Sequence, residues 1–400
     1  MGANLFRPKF EFVDLSYFNK MTKSTNRFSA TLIILGFLLP TIVLAQSKEV
    51  SSLAKELIEN NKFKEADSLL TQAIKNNGLS KELFFERGQL RFMRGDYYGA
   101  AGDFGFAIEL DNNFAEAFNM KGLAIHYNGD PDLAIEYFSK AIELNPTYID
   151  AYSNRGFAYY AIGANENAYF DFSKAIELNP KSADLYYNRG FVRSDLEEYV
   201  GAIDDFNRSI ELDSLDAETF QLRADAEFEI GALDYALNDY TKAILLDSLD
   251  ELKYASRALV FNELELYQEA IKDYTVAIQL FEEKYEPDPE LYNLRGVVYY
   301  NSQQYELAIQ DYNLALDLEP SAPLLYENRG AAYFESGKFI EAAQDYTVAI
   351  DLEPINPENY YFRSQAKFEL NNKFDGCLDL KKAVELGMVE AKKELKEKCK

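Results

Sequence analysis

The sequence runs to 400 residues and carries 67 acidic against 41 basic side chains, a formal charge of −26, which repels phosphate backbones and anionic headgroups and argues against nucleic acid and lipid surfaces as partners. A hydrophobic content of 48%, with 29 Tyr and 29 Phe, excludes a disordered chain. One histidine, His126, and two cysteines, Cys377 and Cys399, leave too few ligands for a metal cluster. With no phosphate loop and no nucleophile paired to a base, neither cofactor, metal nor catalytic residue is expected, and the chain reads as not an enzyme.

Residues 1–20 read as an upstream extension before Met21. Lys23 and Arg27 then precede an apolar run from Phe28 to Ala45, closing on Val43, Leu44 and Ala45 before Gln46. This is the layout of a secretory signal peptide over 21–45, cut after Ala45. The alternative is a retained membrane anchor: eighteen mostly apolar residues lie at the lower edge of spanning length and Pro40 interrupts them. Basic residues ahead of the run send the remainder across the membrane either way, so the expected location is periplasmic or extracellular, with a membrane-anchored form as the alternative.

From residue 46 to 386 one unit repeats about ten times. Small residues recur every 34 positions, as Ala54, Gly88, Gly122, Gly156, Gly190, Ala224 and Ala258, then after a four-residue insertion as Gly296, Gly330 and Ser364. Twelve residues after each stands another small residue, from Ala66 and Ala100 to Ala342 and Gly376. Four further on comes an aromatic in eight units: Phe104, Phe138, Phe172, Phe206, Tyr240, Tyr274, Tyr312 and Tyr346. A further small residue, mostly Ala, follows three later, so this set falls on one helix face. Small residues on facing helices let two backbones approach closely, and the aromatics fill the wedge toward the next hairpin. Pro146, Pro180, Pro320 and Pro354 stop the second helix of their units. Helices of about 12–14 residues are marginal alone, so stacked neighbours must supply the stability.

This pattern resembles the tetratricopeptide repeat family, shown in one unit by Tyr152, Gly156, Tyr159, Ala168, Phe172, Ala175 and Pro180. The resemblance implies an all-α, right-handed superhelical solenoid of antiparallel helix hairpins with a concave groove lined by the first helices. It spans nearly all of the chain after the export segment. Residues 387–400, rich in charge from Val389 onward, read as a C-terminal capping helix.

Comparison of the ten copies separates architecture from site. A cation precedes the small residue in nine of them, as Arg87, Lys121, Arg155, Arg189, Arg223, Arg257, Arg295, Arg329 and Arg363. An aspartate recurs as Asp103, Asp171, Asp205, Asp239, Asp273, Asp311, Asp345 and Asp379. Their matched recurrence suggests a ladder tying the two helices of a hairpin, or one hairpin to the next. Acids open most first helices, as Glu82, Glu116, Asp150, Asp184, Glu218, Glu290 and Glu358, where the macrodipole favours them; as a rim they would also attract basic segments. The stripe that lines the groove in the resembled family varies strongly here. It supplies the candidate partner-binding residues Phe157, Tyr160, Tyr187, Phe191, Phe334, Tyr361 and Phe368. Packing between neighbouring first helices is the competing role for these aromatics.

The insertion falls in 281–289 and marks a possible sub-boundary, with a simple loop excursion as the other reading. Cys377 and Cys399 flank Gly387, so helices turning there either bring the two thiols together as a disulfide or leave both free. The expected function is an exported scaffold that holds polypeptide segments, basic ones among them, in an aromatic, acid-rimmed groove. The alternative is a structural or tethering subunit of a cell-envelope assembly that uses its convex face or array ends. The membrane would be touched only through an uncleaved N-terminal segment.

Overall fold

The computed structural model describes residues 39–77 and 80–400. The expected extension 1–20 and most of the expected export segment 21–45 lie outside them. Twenty-one α-helices and no strand occur among the described residues, and no described helix is long and apolar enough to cross a membrane. The helices form two compact units, divided between Ser214 and Leu215.

In the first unit the hairpins are α1 (Leu39–Glu59) with α2 (Phe63–Asn77), α3 (Lys81–Met93) with α4 (Tyr97–Leu110), α5 (Ala115–Tyr127) with α6 (Pro131–Leu144), α7 (Ile149–Ala161) with α8 (Asn165–Leu178), and α9 (Ala183–Asp195) with α10 (Tyr199–Leu212). In the second they are α11 (Ala217–Glu229) with α12 (Leu233–Leu246), α13 (Glu251–Glu263) with α14 (Tyr267–Glu282), α15 (Pro289–Asn301) with α16 (Tyr305–Leu318), α17 (Pro323–Glu335) with α18 (Phe339–Leu352), and α19 (Pro357–Glu369) with α20 (Lys373–Glu385). A last helix, α21 (Val389–Lys398), packs on α20. The four-residue insertion lies inside the second unit, where it lengthens α14 and the turn after it.

Each hairpin turns through one residue in the left-handed region. Gly95, Gly129, Gly163, Gly231 and Gly337 hold it in five hairpins, and Asn61, Glu197, Glu265, Gln303 and Asn371 in the others. At Gly95 the amide donates to the Phe92 carbonyl while that of Asp96 donates to Arg91, the paired closure that satisfies the last carbonyls of a helix. Asp96 then accepts from the Gly99 amide and Asp130 from Leu133, with Pro131 on the first turn of α6, so the second helices start where orphan amides are met.

The core is the aromatic row. Phe104, Phe138, Phe206 and Phe172 are all but sealed from solvent. Phe104, Phe138 and Phe172 fill the wedge toward the next hairpin as expected: Phe138 packs on Ala134 and on Ala158 of the following first helix. It also does something the spacing did not indicate. A Cβ on Gly122 would come within 2.8 Å of the Phe138 ring and 3.2 Å of the Ala134 carbonyl, and one on Gly88 within 2.7 Å of Phe104. The glycines therefore make room for the ring of their own hairpin as well as for the facing backbone.

Candidate functional site

The two charged rows form one bidentate pair inside each of eight hairpins. In α7 and α8, Arg155 Nε donates to Asp171 Oδ2 at 2.7 Å and Nη2 to Oδ1 at 2.8 Å. A third member escaped the sequence reading. The remaining Arg155 nitrogen donates to Ser139 Oγ of the preceding second helix at 3.0 Å, and Arg87, Arg189, Arg257, Arg295, Arg329 and Arg363 reach Thr71, Ser173, Thr241, Thr275, Asn313 and Thr347 in the same way. Both offered roles are thus realised, within a hairpin and between hairpins. The signal was present in the sequence: where Lys121 replaces arginine, Tyr137 replaces the aspartate and Gly105 the hydroxyl, and Lys121 sits 4.6 Å over the Tyr137 ring. These arginines are committed to architecture and are not available to an acidic ligand.

Four of the candidate aromatics come together. Phe157 on α7 lies edge-on to Phe172 with centroids 5.1 Å apart, and Tyr160 meets Phe191 of α9 edge-on at 5.4 Å. Tyr187 stands edge-on to Phe206 at 6.4 Å. With Val192 and Asn188, all of these rings but Phe206 line a crevice whose free volume is about 10 Å³, room for one water. Phe157 and Tyr187 are buried, whereas Tyr160 and Phe191 are half-buried and form its rim. The Tyr160 hydroxyl donates to Asp195 at 2.6 Å; burial and that carboxylate raise its pKa. Phe334 is half-buried and edge-on to Phe339 at 5.3 Å. Tyr361 and Phe368 lie under α21: the Tyr361 hydroxyl donates to Glu394 at 2.7 Å, which with burial pushes it up to about 12, and Lys398 stands 4.9 Å over the Phe368 ring. First helices also touch directly through amides, Asn154 donating to Asn119 at 3.0 Å and Asn328 to Asn293 at 2.8 Å.

A second charge pattern went unread. In the second unit α11, α13, α17 and α19 end on Glu229, Glu263, Glu335 and Glu369, all exposed, and in the first unit α9 ends on Asp195. A carboxylate at a helix C-terminus opposes the macrodipole, so helix stability does not account for this row.

The sixth hairpin holds a buried acid, Glu227, and a half-buried one, Asp225, besides its ladder pair. Burial, with Asp239 nearby and only partly offset by Arg223, pushes the Glu227 carboxyl up to about 7; burial outweighs the hydroxyl donated by Tyr240 and brings Asp225 to about 7 as well. Both acids titrate higher folded than unfolded, so their contribution is whole below about pH 4 and is lost as pH rises toward 7. Glu227→Gln is accordingly expected to flatten this loss and to raise stability at pH 8 by about 2 kcal/mol, read from thermal unfolding between pH 4 and 8. His126 is half-buried against the edge of Tyr127 at 6.0 Å, and burial lowers its pKa. Among the described residues no group of three or more His, Cys, Asp or Glu is placed to hold a metal ion. Cys377 and Cys399 are joined as a disulfide, with Cα atoms 5.7 Å apart.

Comparison with known proteins fits this geometry. Family models described as tetratricopeptide or TPR repeats match residues 52–105, 122–163, 149–182, 172–204 and 296–337. The protein SGT1 homolog of Oryza sativa subsp. japonica is 35% identical over 80 residues, 20% of this chain; the match spans 22% of that relative's length. The crystal structure of MamA is similar at 27% identity, covering 41% of this chain and 95% of that one, with a TM-score of 0.40. That of YrrB, described as a TPR protein with an unusual peptide-binding site, is similar at 22% identity, covering 48% and 97%, with a TM-score of 0.41. The repeating hairpins, their shared aromatic core and the family matches along the array lead to one conclusion: the chain is a tetratricopeptide repeat protein.

Proposed function

We propose that the chain is an exported scaffold that binds basic polypeptide segments along its first helices. Stacked helical repeats are protein-interaction surfaces, and their specificity lies in residues that the repeat does not need for folding. The observation that carries the reading is the row Glu229, Glu263, Glu335 and Glu369, exposed acids held at helix ends where the macrodipole opposes them. The half-buried rim of Tyr160 and Phe191 offers aromatic contact to the same class of ligand in the first unit. Export is supported by the apolar run before Gln46 and by the pairing of both cysteines, which suits an oxidising compartment.

The test is recovery of partners from envelope extract on the immobilised chain, at low and raised salt. Glu229, Glu263, Glu335 and Glu369 changed together to Gln are expected to weaken capture of a lysine-rich synthetic peptide by roughly tenfold, with most of the salt dependence lost. Unchanged binding in that variant rejects the acidic row as the site.

A tethering role through the second helices has its own support in exposed apolar side chains, with Tyr98 83%, Phe170 68% and Val200 67% exposed in the first unit and Tyr235 71% and Phe374 74% in the second. Partner recovery lost on changing these residues, and kept in the acidic-row variant, selects this reading instead.

A further inference from the structure

The end of the array carries a cover of its own. On α19, Tyr361, Gln365 and Phe368 occupy the stripe that interior hairpins turn toward the next first helix, as Asn119 does toward Asn154. α21 takes the place of a following first helix. Glu394 accepts from the Tyr361 hydroxyl at 2.7 Å and, on its other oxygen, from the Gln365 amide at 3.0 Å. Lys398 donates to Gln365 Oε1 at 3.0 Å and stands over the Phe368 ring. Beneath them Ala391 is buried against Leu380 and Ala383.

These contacts hold α21 weakly. It has ten residues, too few for a helix to persist by itself in water; Ala391 is its one fully buried side chain, with Leu395 half-buried against the same cluster. Glu394 and Lys398 keep 25% and 43% of their side chains exposed, so their pairings contribute little. Val389, Lys392, Lys393 and Lys396 lie together on an open face of α21. What fixes the helix is the bond from Cys399 to Cys377 on α20, and both cysteines are half-buried, within reach of a small thiol.

We propose that α21 is a redox-released cover: reduction of Cys377–Cys399 frees it and opens the Tyr361, Gln365 and Phe368 stripe to a helix of another polypeptide that carries an acid and a lysine four residues apart, as Glu394 and Lys398 do. The reductant is a dithiol. One of its thiolates attacks a sulfur of the bond, the other sulfur leaves as a thiolate and takes a proton, and the reductant's second thiol resolves the mixed disulfide. The chain ends with two thiols and the dithiol as its disulfide. The inference does not rest on the acidic row: Glu369 shares α19 with the stripe, but the stripe and its cover are read by a different probe.

The test uses the full chain, oxidised and as Cys377→Ser, with a lysine-specific protease. Cleavage at Lys392, Lys393 and Lys396 is expected to be about a hundredfold faster in Cys377→Ser and in dithiol-treated wild type. Hydrogen exchange in α16 and α18 should stay at wild-type protection. A labelled synthetic peptide of residues 387–400 with Cys399→Ser should bind Cys377→Ser/Glu394→Ala, whose own cover has lost its contact to Tyr361, but not the oxidised chain, and adding Tyr361→Ala should abolish that binding. Equal cleavage with and without the bond overturns the proposal, whether slow or fast. Faster cleavage without peptide binding, or protection lost throughout the second unit, overturns it too.

Discussion

Asp171→Ala is expected to destabilise its region of the array by about 3 kcal/mol, because it strands the Arg155 guanidinium rather than merely deleting a contact. Both nitrogens now engaged by Asp171 lose their acceptor, and Arg155 stays pinned between the rings of Tyr152 and Tyr159, each centred 5.8 Å away. The value sits at the lower end of the range for broken buried pairs because Arg155 keeps 19% of its side chain in water. Arrays of repeats unfold in parts, so the measurement is native-state hydrogen exchange read helix by helix. Protection should fall in α7 and α8, and also in α6, which Arg155 holds through Ser139. A loss confined to α7 and α8 would show that the hydroxyl link carries no energy.

Phe138→Ala should cost about 3–5 kcal/mol, the largest effect expected of a single side chain here. The ring is fully buried, sits over the place where Gly122 has no Cβ, and packs forward on Ala158 of the next hairpin. Removing it opens a cavity at two contacts at once, within the third hairpin and between the third and the fourth. Urea unfolding followed by exchange in α5 to α8 measures it, and a cost under about 1 kcal/mol would mean that the hairpins close on each other without the ring. Gly122→Val probes the same fit from the other side: its added atoms meet the ring and the Ala134 carbonyl at distances that neither can yield cheaply.

Much of the architecture was legible because a stacked repeat writes the same physical demand ten times. Close approach of two helices admits only a small residue at Gly88, Gly122 and their equivalents, and the wedge beside it needs a ring of fixed size, so those positions cannot drift. A buried aspartate likewise needs its arginine wherever it recurs, which made the Arg and Asp rows visible together. The left-handed turn was harder to see, since glycine holds it in only half of the hairpins and Glu197, Glu265 and Gln303 adopt it elsewhere. Their turns are over-determined by the helices on either side, and sequence composition does not report that.

The aromatic stripe was legible as a stripe and not as a site. Phe157, Tyr160, Tyr187 and Phe191 have the same helical spacing whether they face a groove or a neighbouring helix, and the angle between successive first helices decides which. Packing buries Phe157 and Tyr187 and leaves Tyr160 and Phe191 at the rim. At the end of the chain, spacing around Gly387 admitted both free and bonded thiols; the turn there lays α21 on α20 and joins Cys377 to Cys399, covering Tyr361 and Phe368. By itself the sequence determined the repeat, its core and its ladder, because those demands are local to one hairpin and recur at a fixed period. Only the tertiary structure decided which repeated side chains stay open to a partner, because exposure depends on what the next element covers.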